Sequence, residues 1–259
     1  MTRFLSITAI SIATLAAQSI HPPRVGFAAT AGGTLRPVYG VAGNFLLGPP
    51  LASKVISQAF SGSLGLLKTD STLTAFDQEG NILATTDAPP GPAMFAFLPN
   101  GVTALAYIPS TSTLIEWRGT VFATLPFRPA NSAAEPVLAI ALPNVHEASF
   151  IIQRSDGIWQ VNLPLTRVRG MSQKALPGVM APVLALPSGD LVYTAAQGIV
   201  LRHPDASEVL IPGQVPSKSL LDQMSSDWVL LSDSDSGRRY AIRVTPGREG
   251  FYQLPEAGQ

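Results

Sequence analysis

From Thr34 to Leu254 the chain is a succession of short apolar runs cut by glycine, proline, asparagine and aspartate. Runs of about four to eight residues between such turn formers predict β-strands. No 3.6-residue periodicity lasts a dozen residues, and only 51–61 and 217–226 read as short helices. Three runs share one pattern: 93–98 followed by Pro99-Asn100-Gly101, 137–142 followed by Pro143-Asn144, and 182–186 followed by Pro187-Ser188-Gly189. Leu98, Leu142 and Leu186 are spaced by 44 residues, and 228–232 reads as a weaker copy with Leu230 a further 44 on.

Each copy is followed by the same grammar of strand, turn and strand. After the first come strands at 102–107, 114–117 and 121–125; the next units give 148–153 and 158–161, then 191–194, 199–202 and 208–211, then 240–244 and 251–254. Upstream, 64–68, 73–76 and 82–84 repeat the pattern. A unit of four short strands at this period predicts an all-β fold, a β-propeller of about five four-stranded blades between residues 35 and 255. In the first unit, 38–47 and 54–60 compete for the innermost strand. The leading runs are continuously apolar and dotted with Ala96, Ala139, Ala141 and Ala185. Such runs have both faces buried, and small residues suit the crowded axis. A β-sandwich is the alternative; it explains the strands but not the fixed register.

The turns Leu98-Pro99-Asn100-Gly101 and Leu186-Pro187-Ser188-Gly189-Asp190, with Ser155-Asp156-Gly157-Ile158-Trp159, resemble those of bacterial secreted β-propellers of the NHL, YVTN and WD40-like type. The resemblance covers about residues 35–255 in pattern. The Trp-Asp dipeptide of WD40 repeats is missing, since Gln160 follows Trp159 and Arg118 follows Trp117. The resemblance implies a non-catalytic binding scaffold, with a protein or a small molecule as ligand. The alternative it implies is a propeller hydrolase resembling the calcium-dependent lactonases, whose Glu, Asn and Asp set has no residue-by-residue match here. Asn100 and Asn144 lie in the repeat turns instead.

The N-terminus changes the picture of where such a module works. Arg3, an apolar stretch over 4–17, and small residues Ala16, Ala17 and Ser19 follow the order of a secretory signal peptide, assigned to 1–19. Secretion or a periplasmic location follows. The run is shorter than the roughly 20 residues of a membrane span, so no integral membrane segment is expected once it is removed. Residues 20–33, with His21-Pro22-Pro23 and a glycine-rich end, read as a flexible segment, and 34–259 as the propeller domain. Lys+Arg and Asp+Glu both total 17, and charged residues make up 13% of the chain. That is half the usual share of about 25%, with no basic excess, and it argues against nucleic-acid binding. The chain has no cysteine, which excludes disulfides and thiolate chemistry.

Candidate chemistry is sparse. Asp233-Ser234-Asp235-Ser236-Gly237 resembles part of a calcium loop, but no acid follows at the loop's closing position, and a solvated turn is the reading adopted. His21, His146 and His203 have no metal-ligand spacing and sit beside turn residues. Ser61-Gly62-Ser63-Leu64-Gly65 misses the nucleophile elbow and reads as a turn into a strand. Gly40-Val41-Ala42-Gly43-Asn44 lacks the helix that a nucleotide cradle needs. Trp117, Trp159 and Tyr240 fall at similar places in their units, where packing between blades is favoured over a ligand groove. No catalytic, cofactor-binding or metal residues are assigned, and no cofactor is expected.

Overall fold

Strands that are apolar on both faces need a sheet above and a sheet below, and a closed ring of sheets supplies both. The computed structural model describes residues 22–126, 135–165 and 171–256. Among them the backbone forms 23 strands in six antiparallel sheets. Blade 1 holds β1 (Arg24–Ala29), β2 (Leu35–Val41) and β3 (Asn44–Leu47). Blade 2 holds β4 (Ser57–Ser61), β5 (Leu64–Lys68), β6 (Thr72–Asp77) and β7 (Ile82–Asp87). Blade 3 follows with β8 (Met94–Phe97), β9 (Thr103–Ile108), β10 (Thr113–Arg118) and β11 (Phe122–Leu125). In blade 4 the strands are β12 (Val137–Asn144), β13 (Glu147–Arg154), β14 (Gly157–Pro164) and β15 (Ser172–Ala175). Blade 5 has β16 (Val183–Ala185), β17 (Leu191–Ala195), β18 (Gly198–Arg202) and β19 (Glu208–Pro212). Blade 6 has β20 (Ser219–Gln223), β21 (Trp228–Asp233), β22 (Arg239–Arg243) and β23 (Gly250–Gln253).

Six buried apolar clusters seal the six interfaces. Leu66, Leu73, Phe97 and Trp117 join blades 2 and 3, and Leu105, Ile140 and Phe150 join blades 3 and 4. Ile151 and Tyr193 lie between blades 4 and 5, and Ile199, Leu231 and Ile242 between 5 and 6. The ring closes through blade 1 on both sides. Phe45 meets Trp228 of blade 6 edge-on at 5.6 Å, and Phe27 stacks on Phe60 of blade 2 at 4.3 Å. Burying one such aromatic side chain stabilises by roughly 1.5–3 kcal/mol, so these contacts tie the ring ends as strongly as any internal interface.

Among the described residues blade 1 has three strands, and none of them takes the innermost place. In the four-stranded blades the innermost strand begins on one face of the disc, here called the lower face, and the turn between second and third strands lies on that same face. The β1–β2 turn (Thr30, Ala31, Gly33) gathers there with Leu220 at the start of β20, Ile56 just before β4, and the β21–β22 turn. β1 therefore runs as a second strand. With no strand between them, β20 and β4 approach each other directly, and the axis is lined by β4, β8, β12, β16 and β20. The edge of β1 that an innermost strand would pair with is satisfied by other means. The Phe27 amide donates to the Met224 carbonyl at 3.3 Å, the Gln58 amide donates to the Phe27 carbonyl at 3.5 Å, and Arg239 donates to the Ala29 carbonyl at 3.3 Å. Gly26 allows the approach, because a Cβ there would stand 2.4 Å from the Met224 carbonyl oxygen.

Several expectations are corrected. The propeller has six blades rather than about five, and a sandwich is excluded by sheets stacked around an axis. Residues 24–29, expected within the flexible segment 20–33, form β1, with Val25, Phe27 and Ala28 buried. The contest between 38–47 and 54–60 dissolves: the former supplies β2 and β3 of blade 1, the latter β4 of blade 2. The stretches 51–61 and 217–226 contain β4 and β20 instead of helices, because strand pairing with β5 and β21 outweighs weak local propensity. Leu98, Leu142 and Leu186 are buried at the ends of the innermost strands β8, β12 and β16, and the Leu98 and Leu186 turns share the bond from the glycine amide three residues on, Gly101 or Gly189, to the leucine carbonyl. Leu230 breaks the series. It lies on β21, the second strand of blade 6. The stretch proposed as a signal peptide, 1–19, lies outside the described residues.

Candidate functional site

The axis offers little chemistry. Ala59, Phe95, Ala139, Leu184 and Leu221 turn apolar atoms toward it and leave a small cavity of about 80 Å³. Three polar residues line this cavity, Gln223 and the seam pair Gln58 of β4 and Asp222 of β20. The seam pair opens below into a larger recess of about 270 Å³, bounded by the β1–β2 turn, the β21–β22 turn, Ile56 and Leu220. The recess lies at the place in blade 1 where none of the described residues forms an innermost strand.

Within the recess most polar groups are engaged in the fold. Ser236 donates to the Asp233 carboxylate, as does the Asp235 amide at 3.0 Å, and these bonds hold that carboxyl below its ordinary range. Arg239 is buried and donates to the carbonyls of Ala29 and Pro255 at 3.3 and 3.4 Å. Burial depresses its pKa, with Arg36 nearby adding to the effect. Four side-chain groups make no hydrogen bond among the described residues, Gln58 Oε1, the Asp222 carboxylate and the Ser232 and Ser234 hydroxyls. The Gln58 Oε1 atom is buried with no hydrogen-bond partner, although the residue is only 2% exposed. The Asp222 carboxylate makes no hydrogen bond or ion pair among the described residues. It keeps some surface open to the recess while protein atoms crowd it on every side, and this desolvation pushes its pKa up to about 7.

A second recess, about 110 Å³, lies between blades 4 and 5 on the opposite face, lined by Leu142, Pro143, Gln160, Lys174, Arg202 and His203. Its polar groups are mostly paired. Ser149 donates to Asn162 at 2.6 Å, and Gln160 donates to both, at 3.1 and 3.3 Å. His203 Nδ1 meets Asp190 at 2.8 Å, and Ser188 donates to the other oxygen of the same carboxylate at 2.6 Å. In a hydrolytic triad the serine bonds to the imidazole, not to the carboxylate, so Ser188 is not activated.

The residues singled out from the sequence fall into place as structure. Asp233–Gly237 is the β21–β22 turn, and Lys218 pairs with Asp235 at 2.9 Å. Among the described residues no group of three or more His, Asp or Glu converges as a metal site would require. Asn100 and Asn144 accept bonds from the amides of Val102 and His146 at 3.0 and 2.9 Å, shaping their turns. Gly62 and Ser63 make the tight turn into β5, and Ala42 and Gly43 the turn between β2 and β3. Trp117 is buried between blades 2 and 3 and packs on Phe122 at 4.8 Å. Trp159 packs between blades 3 and 4 under the Arg154 guanidinium at 5.0 Å, and Tyr240 between 5 and 6 against Phe251 at 5.0 Å. All three serve blade packing. His21 lies outside the described residues. Sequence reasoning does not pick out Gln58 and Asp222; the one available signal is a pair of polar residues between apolar ones, Ser57-Gln58 within 56–60 and Asp222-Gln223 within 220–224.

Among the described residues no helix is long and apolar enough to cross a membrane. No protein-family model and no curated protein matches the sequence. Solved structures do match in shape. One is from the crystal structure of the nidogen/laminin complex, with 13% identity, a TM-score of 0.56, and 90% of this chain and 99% of that chain covered. Another is TolB from Acinetobacter baumannii, with 10% identity, a TM-score of 0.51, and 90% and 67% covered. At such identities the likeness shows the β-propeller fold.

Proposed function

We infer that this chain is an exported, non-catalytic binding module that holds its ligand or partner on the lower face of the propeller. The observation that carries the reading is the recess at the seam. It is built from four elements in three blades, and the Asp222 carboxylate among its polar groups makes no hydrogen bond or ion pair among the described residues. A carboxylate held out of water without a partner is costly, and a ligand that pairs with it offsets that cost. A rigid ring carrying a shaped depression is the usual form of such modules, since the blades supply stiffness and the loops supply chemistry. Export is supported by the order of charge, apolar run and small residues at the N-terminus.

The test is a thermal-shift and NMR screen of the purified protein against small molecules grouped as cations, anions, neutral polar and apolar compounds. Resonances of Ile56, Leu220 and Gly33 are expected to move with at least one group, and the effect should vanish in a variant that fills the recess, such as Ser232→Phe. Calcium-dependent hydrolysis of lactones by the wild-type protein, abolished by changing Asp222, would replace the binding reading with an enzymatic one.

A further inference from the structure

We propose that the cleft between blades 4 and 5, on the face of the disc opposite the seam recess, takes a monocarboxylate with a small apolar body, held by Arg202 and Lys174 above a floor of Leu142, Ile151 and Leu176. It is a second site, and it stands or falls apart from the reading above.

The two cations come from opposite walls. On β18, Val200 packs between blades 4 and 5, and Arg202, two residues on, shares its face. Its guanidinium crosses the cleft, where Nη1 donates to the Pro177 carbonyl just past β15 at 2.7 Å. The side chain is 11% exposed. An arginine this buried is seldom without a close acid, yet Glu208 stands 3.6 Å from Nη1 and takes the Tyr193 hydroxyl at 2.8 Å. Nε and Nη2, which form the other edge of the guanidinium, make no bond among the described residues. Neither is sealed off, since the buried side-chain atoms without a partner are Arg36 Nε and Gln58 Oε1. Lys174 enters from blade 4. It pairs with Gln160, on the face of β14 that carries Ile158 toward blade 5. It stands three residues before Pro177, so no more than about 11 Å of chain separates it from the carbonyl that Arg202 reaches. Its ammonium makes no hydrogen bond or ion pair among the described residues.

Charge balance selects a monoanion. The lining holds Lys174, Arg202 and His203, and no carboxylate. Nearby acids are engaged elsewhere. Glu208 balances Arg202. Asp190 lies behind the His203 imidazole, with one oxygen on Nδ1 and the other on the Ser188 hydroxyl. Asp205 and Glu249, which also feel His203, are closed into their own turns by Ser207 and by the Gly247 amide. Arg154, on β13, is taken by Glu135 and Gln173. Lys174 is the cation left without an acid, and one negative charge answers it where a phosphate dianion would exceed it. A carboxylate also matches the free edge of Arg202, since a guanidinium fork gives two parallel bonds to its two oxygens. The rest of the lining is apolar, with Pro143, Pro187 and Pro204 beside the floor residues. The volume is about 110 Å³. That is well below the roughly 300–1,000 Å³ of drug-sized sites and several times the roughly 10–15 Å³ that one water needs, which fits a carboxylate with a few carbons.

Two sources carry this chemistry, a free short-chain acid and the carboxyl terminus of a partner chain, and the experiment separates them. Sodium butyrate and N-acetyl-alanyl-valine are titrated into the full chain by NMR at pH 7, with n-butanol, methyl phosphate and the C-terminal amide of the dipeptide as controls. The expected result is saturable movement of the Leu176, Ala185 and Gly189 resonances while Gly33 and Ile56 of the seam recess stay still. Either acid should bind at least about tenfold tighter than its neutral counterpart. Lys174→Glu, at an exposed position, should weaken binding at least about tenfold with an unchanged melting temperature, and Arg202→Gln should weaken it at least as much. Tighter binding of the dipeptide assigns the cleft to a chain terminus; tighter binding of butyrate assigns it to a free acid. Butanol binding as tightly as butyrate, methyl phosphate binding more tightly, no saturable shift with either acid, or unchanged affinity in Lys174→Glu would overturn the proposal. None of these outcomes bears on the seam recess, whose resonances are read in the same spectra.

Discussion

Blades 3 to 5 and blade 1 solve the same packing problem with different means. In blades 3 to 5 an innermost strand of apolar and small residues, ending in Leu98, Leu142 or Leu186, fills the space at the axis. In blade 1 no described strand takes that place, and the open edge of β1 is met by the Met224 carbonyl, the Gln58 amide and the Arg239 guanidinium. The apolar seals on both sides of blade 1 are nonetheless as complete as elsewhere, with Phe27 on Phe60 and Phe45 on Trp228. The difference teaches that, among the described residues, sheet-to-sheet faces seal blade 1 into the ring although it presents three strands.

The largest expected effect tests whether the seam is as strong as the repeated interfaces. Trp117→Ala, between blades 2 and 3, and Phe27→Ala, between blades 1 and 2, should each destabilise by about 3–5 kcal/mol in urea unfolding, with one cooperative transition. A loss below about 1 kcal/mol for Phe27→Ala alone would mean that blade 1 hangs loosely on the ring.

Arg239 comes next. Its guanidinium closes the β1 edge and reaches the last described stretch at Pro255, so Arg239→Leu leaves two carbonyls short of a donor. The expected cost is about 1.5–3 kcal/mol, read from the urea midpoint. Lys218→Leu, which breaks an exposed pair with Asp235, should cost under about 1 kcal/mol and serves as the contrast.

A smaller effect, with a defined sign, comes from Asp222. Its folded pKa of about 7 lies above the unfolded carboxylate value of about 3.9, so between these the folded state holds a proton that the unfolded state has released. Stability should therefore be greatest below about pH 4 as far as this group is concerned, decline as the pH rises toward 7, and level off above it. The decline is on the order of 2 kcal/mol once the part of the side chain open to the recess is allowed for. Asp222→Asn removes that slope and should be the more stable protein at pH 8. A wild-type profile identical to the variant's would show that the carboxylate is hydrated or paired in solution.

The same comparison explains how much could be read from sequence. The register of 44 residues is legible in blades 3 to 5 because their innermost strands are buried on both faces and so read as unbroken apolar runs. Blade 6 hides its innermost strand, since β20 carries Asp222 and Gln223 and exposes Leu220, and the unbroken run at 228–232 belongs to the second strand. Blade 1 was lost for a related reason. Arg24–Ala29 stands between Pro22-Pro23 and a glycine-rich turn, and those neighbours outweighed six residues of strand pattern. The unit count fell one short as a result. The recess was illegible because Gln58 and Asp222 gain their meaning only when β4 and β20 meet, over 160 residues apart in sequence. The turn at Asp233–Gly237, by contrast, is set by local hydrogen bonds, and local reading sufficed.

The central claim is that the ring closes through a three-stranded first blade whose leading strand is β1. Native-state hydrogen exchange at Phe27 and Gly40 tests it most directly. The Phe27 amide is bonded to the Met224 carbonyl across the seam, and the Gly40 amide of β2 to the Pro23 carbonyl at the start of β1, at 2.8 Å. Protection of both at the level of buried amides in β9 and β13 is the result expected of a closed ring. Exchange at both within the range of unstructured chain, while β9 and β13 stay protected, would contradict it.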